Sequence, residues 1–104
     1  MDELIELSVK GKFQLFKSAE NPRRSLGNAA YRPNHQFEGQ KDFFMGFVEF
    51  ENGECFPSKT VASEIHVICS KQKLSHFKPN CQWFVFEGKQ LVGKVTADSV
   101  EQVT

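Results

Sequence analysis

The stretch that decides the fold is Asn28–Phe37, with the sequence NAAYRPNHQF. Its proline, Pro33, fixes one backbone angle and removes an N–H donor. The residue before a proline is pushed toward an extended conformation, so Arg32 is expected to be extended. A Tyr31-Arg32 pair held in this way, just ahead of strand-like sequence, predicts the start of a β-structure.

The strongest strand signal follows at Phe43–Phe50, FFMGFVEF, which is aromatic and apolar. The Asn52-Gly53 pair after it favours a tight turn, so we expect a hairpin that returns into Cys55-Phe56. Gly46 lies inside the run, where glycine suggests a bulge or a sharp bend.

Four other segments carry strand patterns. Residues 3–9 predict a short strand or an ordered arm, and Lys12–Lys17 predicts a strand with Phe13 and Leu15 on one face. Val61–Cys69 places apolar side chains on one parity and Glu64 and His66 on the other, which is typical of a strand buried on one side. Two further strands are expected around the turn at residues 87–89, namely Cys81–Phe86 and Gln90–Thr96.

The remaining segments predict connections rather than helices. Ser18–Ala30 is rich in Asn, Pro, Gly, Ser and Arg, which predicts a loop. The polar segment Lys71–Asn80 is predicted to be a connection as well. Six or seven short strands without a convincing helix mean an all-β fold, and at 104 residues a single domain. A barrel is favoured over a sandwich because closure removes the edges that apolar strands otherwise expose.

Composition and charge exclude several classes of protein. Thirteen basic and thirteen acidic residues cancel, and the pI is about 6.8, which argues against a dedicated nucleic-acid binder but not against a local basic patch. Three cysteines without CxxC spacing indicate reduced thiols. The acidic start MDELIE lacks the features of a signal peptide, and no apolar run approaches the roughly 20 residues that span a bilayer. We therefore expect a soluble cytoplasmic domain with no membrane segment.

Several short motifs occur in an order and spacing that resemble a known barrel. They are Tyr31-Arg32-Pro33, GFVEF at Gly46–Phe50, Pro57, the alternating strand Val61–Val67, VFEG at Val85–Gly88, and Val92-Gly93. From about Val9 to Thr96 the chain is similar to the C-terminal β-barrel domain (domain 3) of bacterial elongation factor Tu. The resemblance implies a closed six-stranded antiparallel Greek-key barrel formed by residues 1–104 as one domain.

The resemblance also implies a function, namely a stand-alone, non-catalytic binding module for RNA (tRNA-like) or for a protein of the translation apparatus. The sequence holds no Walker-type Gly-x-x-x-x-Gly-Lys-Ser/Thr motif, so no nucleotide is expected to bind. Near the family's tRNA-contacting loop, Arg23 keeps the family's Arg and Arg24 replaces its His. Glu38, by contrast, puts a carboxylate where the family has Arg, which weakens the carry-over of tRNA binding.

A phosphate-binding patch is one candidate site. Arg23 and Arg24, with Lys12 and Lys17, carry cations that suit phosphate contacts. The commoner alternative is that they are solvated loop cations. For Arg32 we prefer a structural role, pointing inward to backbone carbonyls. The residues expected to be structural are Tyr31, Arg32, Pro33, Gly46, Gly88 and Gly93.

A protein interface is the second candidate. If Cys81, Trp83 and Val85 face inward, then Phe84 and Phe86 face outward and form an exposed apolar patch. The opposite parity would bury both phenylalanines, and a strand covered on both sides is a third possibility. The exposed patch predicts an alternative function. In that case the chain is a protein–protein interaction module unrelated to translation, acting as a homo-oligomer or as an antagonist of another protein.

Catalysis and metal binding are not expected. The three histidines and three cysteines lack the spacings that zinc sites favour. No nucleophile motif such as G-x-S-x-G occurs. The sequence therefore predicts no enzyme activity, no metal and no cofactor.

Overall fold

Eight β-strands and one short 3-10 helix make up the part of the chain that the computed structural model describes, residues 3–16, 26–27 and 31–103. The all-β fold class is confirmed. No helix in these ranges is long and apolar enough to cross a membrane. The strands are β1 (Leu4–Leu15), β2 (Leu26–Gly27), β3 (Asn34–Gln36), β4 (Phe44–Phe50), β5 (Glu54–Cys55), β6 (Thr60–Ser70), β7 (Gln82–Glu87) and β8 (Gln90–Gln102), and the 3-10 helix is Lys71–His76.

Six of the strands close into a barrel in the order β1-β6-β4-β3-β7-β8, and β8 pairs back onto β1. All neighbours in the barrel are antiparallel. Strands β3, β4 and β6 form a meander, β1 lies beside β6, and β7 lies beside β3, so the connections are of the Greek-key type. The predicted closed six-stranded antiparallel Greek-key barrel is confirmed.

The pairing corrects two local predictions. The segments at residues 3–9 and 12–17 belong to one long strand, β1, which ends at Leu15. The hairpin from β4 into Cys55-Phe56 is wrong: β4 pairs with β3 and β6, and β5 pairs with β2 in a separate two-stranded sheet. The turn itself is present, since Gly53 has a φ of 84° and its N–H donates to the Phe50 carbonyl at 3.0 Å. Of the predicted loop Ser18–Ala30, residues 26–27 form a strand and the others lie outside the described residues.

Close approach of β1 and β8 closes the barrel. A Cβ atom at Gly93 would overlap the carbonyl oxygen of Gln14, and one at Gly11 would overlap the carbonyl oxygen of Thr96. The register between the two strands shifts between Lys10 and Gly11. Glycines at this seam allow backbones to approach more closely than any side chain permits.

Alternating burial along the strands fills the barrel interior, as the sequence predicts. The side chains of Phe13 and Leu15 in β1 are fully buried. Those of Ile65 and Val67 in β6 are fully buried as well. At one end of the interior, aromatic rings pack around Trp83 at centroid distances of 5.0–5.6 Å, mostly edge to face. Each such pair contributes about 0.5–1.5 kcal/mol beyond its buried area. The surrounding rings are those of Phe37, Phe44 and Phe77.

The residues around Pro33 start β3, the second strand of the barrel along the chain. Strand β3 begins directly after Pro33, as predicted. The carbonyl of Tyr31 accepts a hydrogen bond from the Val48 N–H at 3.0 Å, and its hydroxyl donates to Glu87 Oε2 at 2.9 Å. Tyr31 therefore joins the chain before β3 to two other strands. Farther along, Gly88 has a φ of 61° in the predicted turn between β7 and β8.

Candidate functional site

Strand β7 points two phenylalanines away from the core. Trp83 and Val85 are buried in the barrel, so Phe84 and Phe86 lie on the outer face, where each is half-buried. The structure thus adopts the first of the three arrangements that the sequence left open. The parity of β7 therefore leaves both rings at the surface of the described barrel.

Phe86 belongs to a row of outward-facing side chains that crosses five strands and is apolar on four of them. In the register it pairs with Leu91 on β8 and with Asn34 on β3. Asn34 pairs with Met45 on β4, which pairs with Ile68 on β6. The exposed fractions are 68% for Met45, 42% for Leu91 and 37% for Ile68. Neighbouring positions on a sheet face lie about 5 Å apart, so these side chains form one surface.

A further ring extends this surface on the side of Phe84. Phe43 is 48% exposed and packs edge-on against Phe86, with ring centroids 5.8 Å apart. Its position is held by the preceding residue, because Asp42 pairs with Lys73 on the 3-10 helix at 2.5 Å. We call the surface the outer band. It consists of Phe43, Met45, Ile68, Phe84, Phe86 and Leu91.

A groove of about 310 Å³ opens at the β4–β6 end of the outer band. Met45 and Ile68 line it together with Phe47 and Arg32. Arg32 is exposed, and its guanidinium carbon lies 5.8 Å from the centre of the Phe47 ring. The prediction that Arg32 points inward to backbone carbonyls is therefore wrong. The side chain lies over the ring of Phe47 on β4 instead.

Below the groove, His35 is completely buried, and both of its ring nitrogens have partners. The Trp83 Nε1–H donates to His35 Nδ1 at 2.9 Å. Because an indole nitrogen can only donate, Nδ1 is the acceptor and the ring proton sits on Nε2. That nitrogen lies 3.1 Å from the Gly46 carbonyl oxygen and donates to it. Burial lowers the pKa of His35 to about 4, and the hydrogen bond to Gly46 opposes the shift only in part.

The contact with His35 explains the glycine in β4. The pairing of β4 with β6 runs without a register shift through Gly46, so the bulge, one of the two features predicted at this glycine, is absent there, while the sharp bend stays a prediction. A Cβ at this position would lie 3.1 Å from His35 Nε2 and 3.2 Å from the His66 carbonyl oxygen. Gly46 is thus a place of close approach. The sequence offers His35 as one of three histidines for a metal site, although its parity with Phe37 is a signal that it faces inward.

On the outer face of β4 and β6, next to the groove, two carboxylates lie near His66. His66 stacks on Phe47 at a centroid distance of 4.4 Å, and its Nε2 faces Glu49 Oε1 at 3.4 Å and Glu64 Oε1 at 3.8 Å. The Ser8 hydroxyl donates to Glu64 Oε1 at 2.7 Å. A second groove, of about 570 Å³, continues from there, and its lining carries four carboxylates and one lysine, Lys10.

The described part of the predicted phosphate patch is small. Lys12 is exposed on β1, while Arg23, Arg24 and Lys17 lie outside the described residues. Lys12 lies two residues after Lys10 on β1, and Lys10 lines the acidic groove. A phosphate backbone at that groove would meet more carboxylates than cations, which opposes its binding.

Metal-binding side chains are not grouped in residues 3–16, 26–27 and 31–103. No three His, Cys, Asp or Glu side chains in these ranges form a group that could hold a metal ion. Burial raises the pKa of the thiols of Cys55, Cys69 and Cys81, which keeps them protonated and weakly nucleophilic.

In comparisons with known proteins, no protein-family model matches the chain, and no curated protein matches its sequence significantly. Small closed barrels arise in many unrelated proteins, so the fold does not by itself identify a family. The resemblance to domain 3 of elongation factor Tu stays a prediction.

Proposed function

We propose that the chain is a non-catalytic binding module that docks a partner protein through the outer band. The observation that carries the proposal is the alignment of Leu91, Phe86, Met45 and Ile68 in one row of the register. Contiguous apolar surface of this kind marks interaction sites on soluble domains. Burying it against a partner contributes about 25 cal/mol per Å² of apolar area.

The topology favours side-chain docking over strand addition. A closed barrel has no free edge among its six strands, so a partner peptide cannot extend that sheet through main-chain hydrogen bonds. Affinity must then come from side chains on the outer face. A row with Phe, Met, Ile and Leu supplies the apolar centre that protein interfaces contain, with polar groups such as Asn34 inside it.

The charge of the described surface weighs against RNA as the main ligand. Contacts to phosphates need an excess of cations, whereas the described surface beside Lys10 and Lys12 carries Glu49, Glu64 and Asp98. A protein of the translation apparatus remains the partner that the elongation-factor resemblance implies. A second copy of this chain is the other protein partner that the outer band suits.

Affinity capture with matched variants tests the proposal. Immobilised wild-type chain and its Met45→Glu, Phe86→Glu and Phe56→Glu variants are compared in lysate of the source cells at low and high salt. Phe56 is the control, because it is 51% exposed and does not belong to the outer band. Retained proteins are identified and the affinity of the purified partner is then measured by calorimetry.

We expect a partner that stays bound at high salt, is retained by Phe56→Glu, and binds the two outer-band variants at least about tenfold more weakly. The reason is that docking would desolvate an unpaired carboxylate. Size-exclusion chromatography with light scattering shows whether that partner is a second copy. Retention of RNA alone with a steep salt dependence, or equal binding by all four proteins, would overturn the proposal. So would a monomer that retains no partner.

A further inference from the structure

We infer that the groove between β3, β4 and β6 receives a partner segment in which a carboxylate adjoins a bulky apolar side chain. This inference rests on the proposed function and names the chemistry of its partner. The apolar side chain packs on Met45 and Ile68, and the carboxylate binds Arg32. Three features of the groove lead to this assignment.

The first feature is the state of Arg32. No carboxylate among the described residues pairs with its guanidinium, which lies over the Phe47 ring. This cation–π contact uses none of the guanidinium N–H groups as hydrogen-bond donors, so they remain available to a ligand. Those donors match the two oxygens of a carboxylate, and such paired hydrogen bonds are among the stronger ones in proteins.

The second feature is that the aromatic support for Arg32 is held in place. Phe47 also stacks on His66, with ring planes 18° apart and centroids at 4.4 Å. Beneath it, the Gly46 carbonyl is tied to the buried His35 ring. The stacking on His66 and the anchored backbone of the preceding residue restrict the Phe47 ring, so the surface under the cation is formed before a ligand arrives, which lowers the entropy lost on binding.

The third feature is the distribution of charge and apolar surface around the groove. Met45 and Ile68 pair directly across β4 and β6 and are exposed, and methionine adapts its shape to different apolar groups. On the other sides lie carboxylates: Glu49 beyond Phe47, and Glu6 opposite Ile68 on β1. An acidic group is repelled there and attracted to the β3 side, so the bound segment has one preferred orientation.

The lining of the groove suits the carboxylate of a peptide better than a phosphate polymer. One arginine and four apolar or aromatic side chains, namely Pro33, Met45, Phe47 and Ile68, suit a single negative charge beside an apolar group. A nucleic acid would place several phosphates near Glu6 and Glu49. Each of these contacts would be repulsive.

Peptide selection on the full chain tests the inference. A display library of random dodecapeptides is selected on the wild-type protein, and the enriched sequences are synthesised with Asp or Glu and with the matching Asn or Gln. Their affinities are measured by fluorescence anisotropy for the wild type and for the Arg32→Gln, Met45→Glu and Lys12→Gln variants. Lys12→Gln is the control, because it removes a cation away from the groove.

We expect enriched peptides to carry an acidic residue next to Leu, Ile, Phe or Met. Changing that residue to its amide should weaken binding to the wild type about tenfold, and it should have no such effect on Arg32→Gln. Met45→Glu should abolish binding, and Lys12→Gln should leave it unchanged.

The outcomes separate this inference from the proposed function. If Met45→Glu abolishes binding while acid and amide peptides bind equally, the outer band is a docking surface and the inference is wrong. If no peptide is enriched, the inference is also wrong. If peptides bind Met45→Glu as tightly as they bind the wild type, then both the inference and the docking surface are wrong.

Discussion

Lowering the pH from 7 to 4 is expected to destabilise the barrel through one buried group, the imidazole of His35. The folded protein holds this ring neutral, because it is enclosed by aromatic side chains and its Nδ1 accepts the Trp83 N–H. A second proton on the ring would take away that acceptor and place a charge on a completely buried side chain. The unfolded chain has no such restriction.

The magnitude follows from the difference in pKa between the two states. Burial lowers the pKa of His35 from 6.5 to about 4 in the folded protein. Between these values the unfolded state binds a proton that the folded state does not, so stability falls as the pH falls. At about 1.4 kcal/mol per pH unit, this amounts to about 3 kcal/mol lost between pH 6.5 and pH 4. Above pH 6.5 the contribution is constant.

Urea denaturation monitored by tryptophan fluorescence measures this loss, since Trp83 is the single tryptophan of the chain. The comparison is between the wild type and His35→Gln, whose amide can accept from Trp83 and donate to Gly46 without titrating. Carboxylates contribute to both proteins and cancel in the difference. We expect the wild type to be the more stable at pH 7 and its advantage to shrink by about 3 kcal/mol at pH 4.

His66→Gln serves as the control, because it removes a half-buried histidine and should keep the pH dependence assigned to His35. If His35→Gln does not fold, the ring of His35 in the wild type is titrated directly by NMR. Protonation of the native ring near pH 6.5 would refute the reasoning. An unchanged difference in stability between the wild type and His35→Gln from pH 7 to pH 4 would do so as well.

Two further predictions concern the seam and the thiols. Gly93→Ala should lower the free energy of unfolding by several kcal/mol, roughly 2–4, because its Cβ overlaps the Gln14 carbonyl oxygen; Gly39→Ala, at an open position with φ 83°, should cost only about 1–2. Urea denaturation checks both, and equal losses would contradict the role of Gly93. Cys55 and Cys69 are buried and their thiol pKa values are raised, so an aromatic disulfide reagent should label them slowly in the native protein and rapidly in denaturant. Rapid labelling of the folded protein would contradict their burial.

Local periodicity explains what the sequence could predict. A strand alternates its side chains with a period of two, so Val61–Cys69 reveals its inner and outer faces without any partner strand. In Cys81–Phe86 the same period separates Trp83 and Val85 from Phe84 and Phe86, but both sets are apolar and the inner face stays open. The outward position of Phe84 and Phe86 is one of the arrangements that this alternation allows. Pro33 likewise marks the start of β3 through its own fixed backbone angle.

Long-range pairing explains what the sequence could not predict. The turn at Asn52-Gly53 forms, but the residues after it pair with Leu26–Gly27 instead of β4. Turn chemistry depends on a few adjacent residues, whereas the choice of partner strand depends on how the whole barrel closes. The glycine at position 46 illustrates the same limit, because its reason is the His35 ring on another strand.

The sequence by itself determined an all-β chain and its alternating strands, and it left the outward position of Phe84 and Phe86 as one of three possibilities. Only the tertiary structure decided that Met45, Ile68 and Leu91 continue the row of Phe86, and that Arg32 stands exposed over Phe47. These residues are far apart in the chain and become neighbours through the register of antiparallel strands. Register is set by the packing of the closed barrel as a whole, and a surface built across five strands therefore has no local sequence signature.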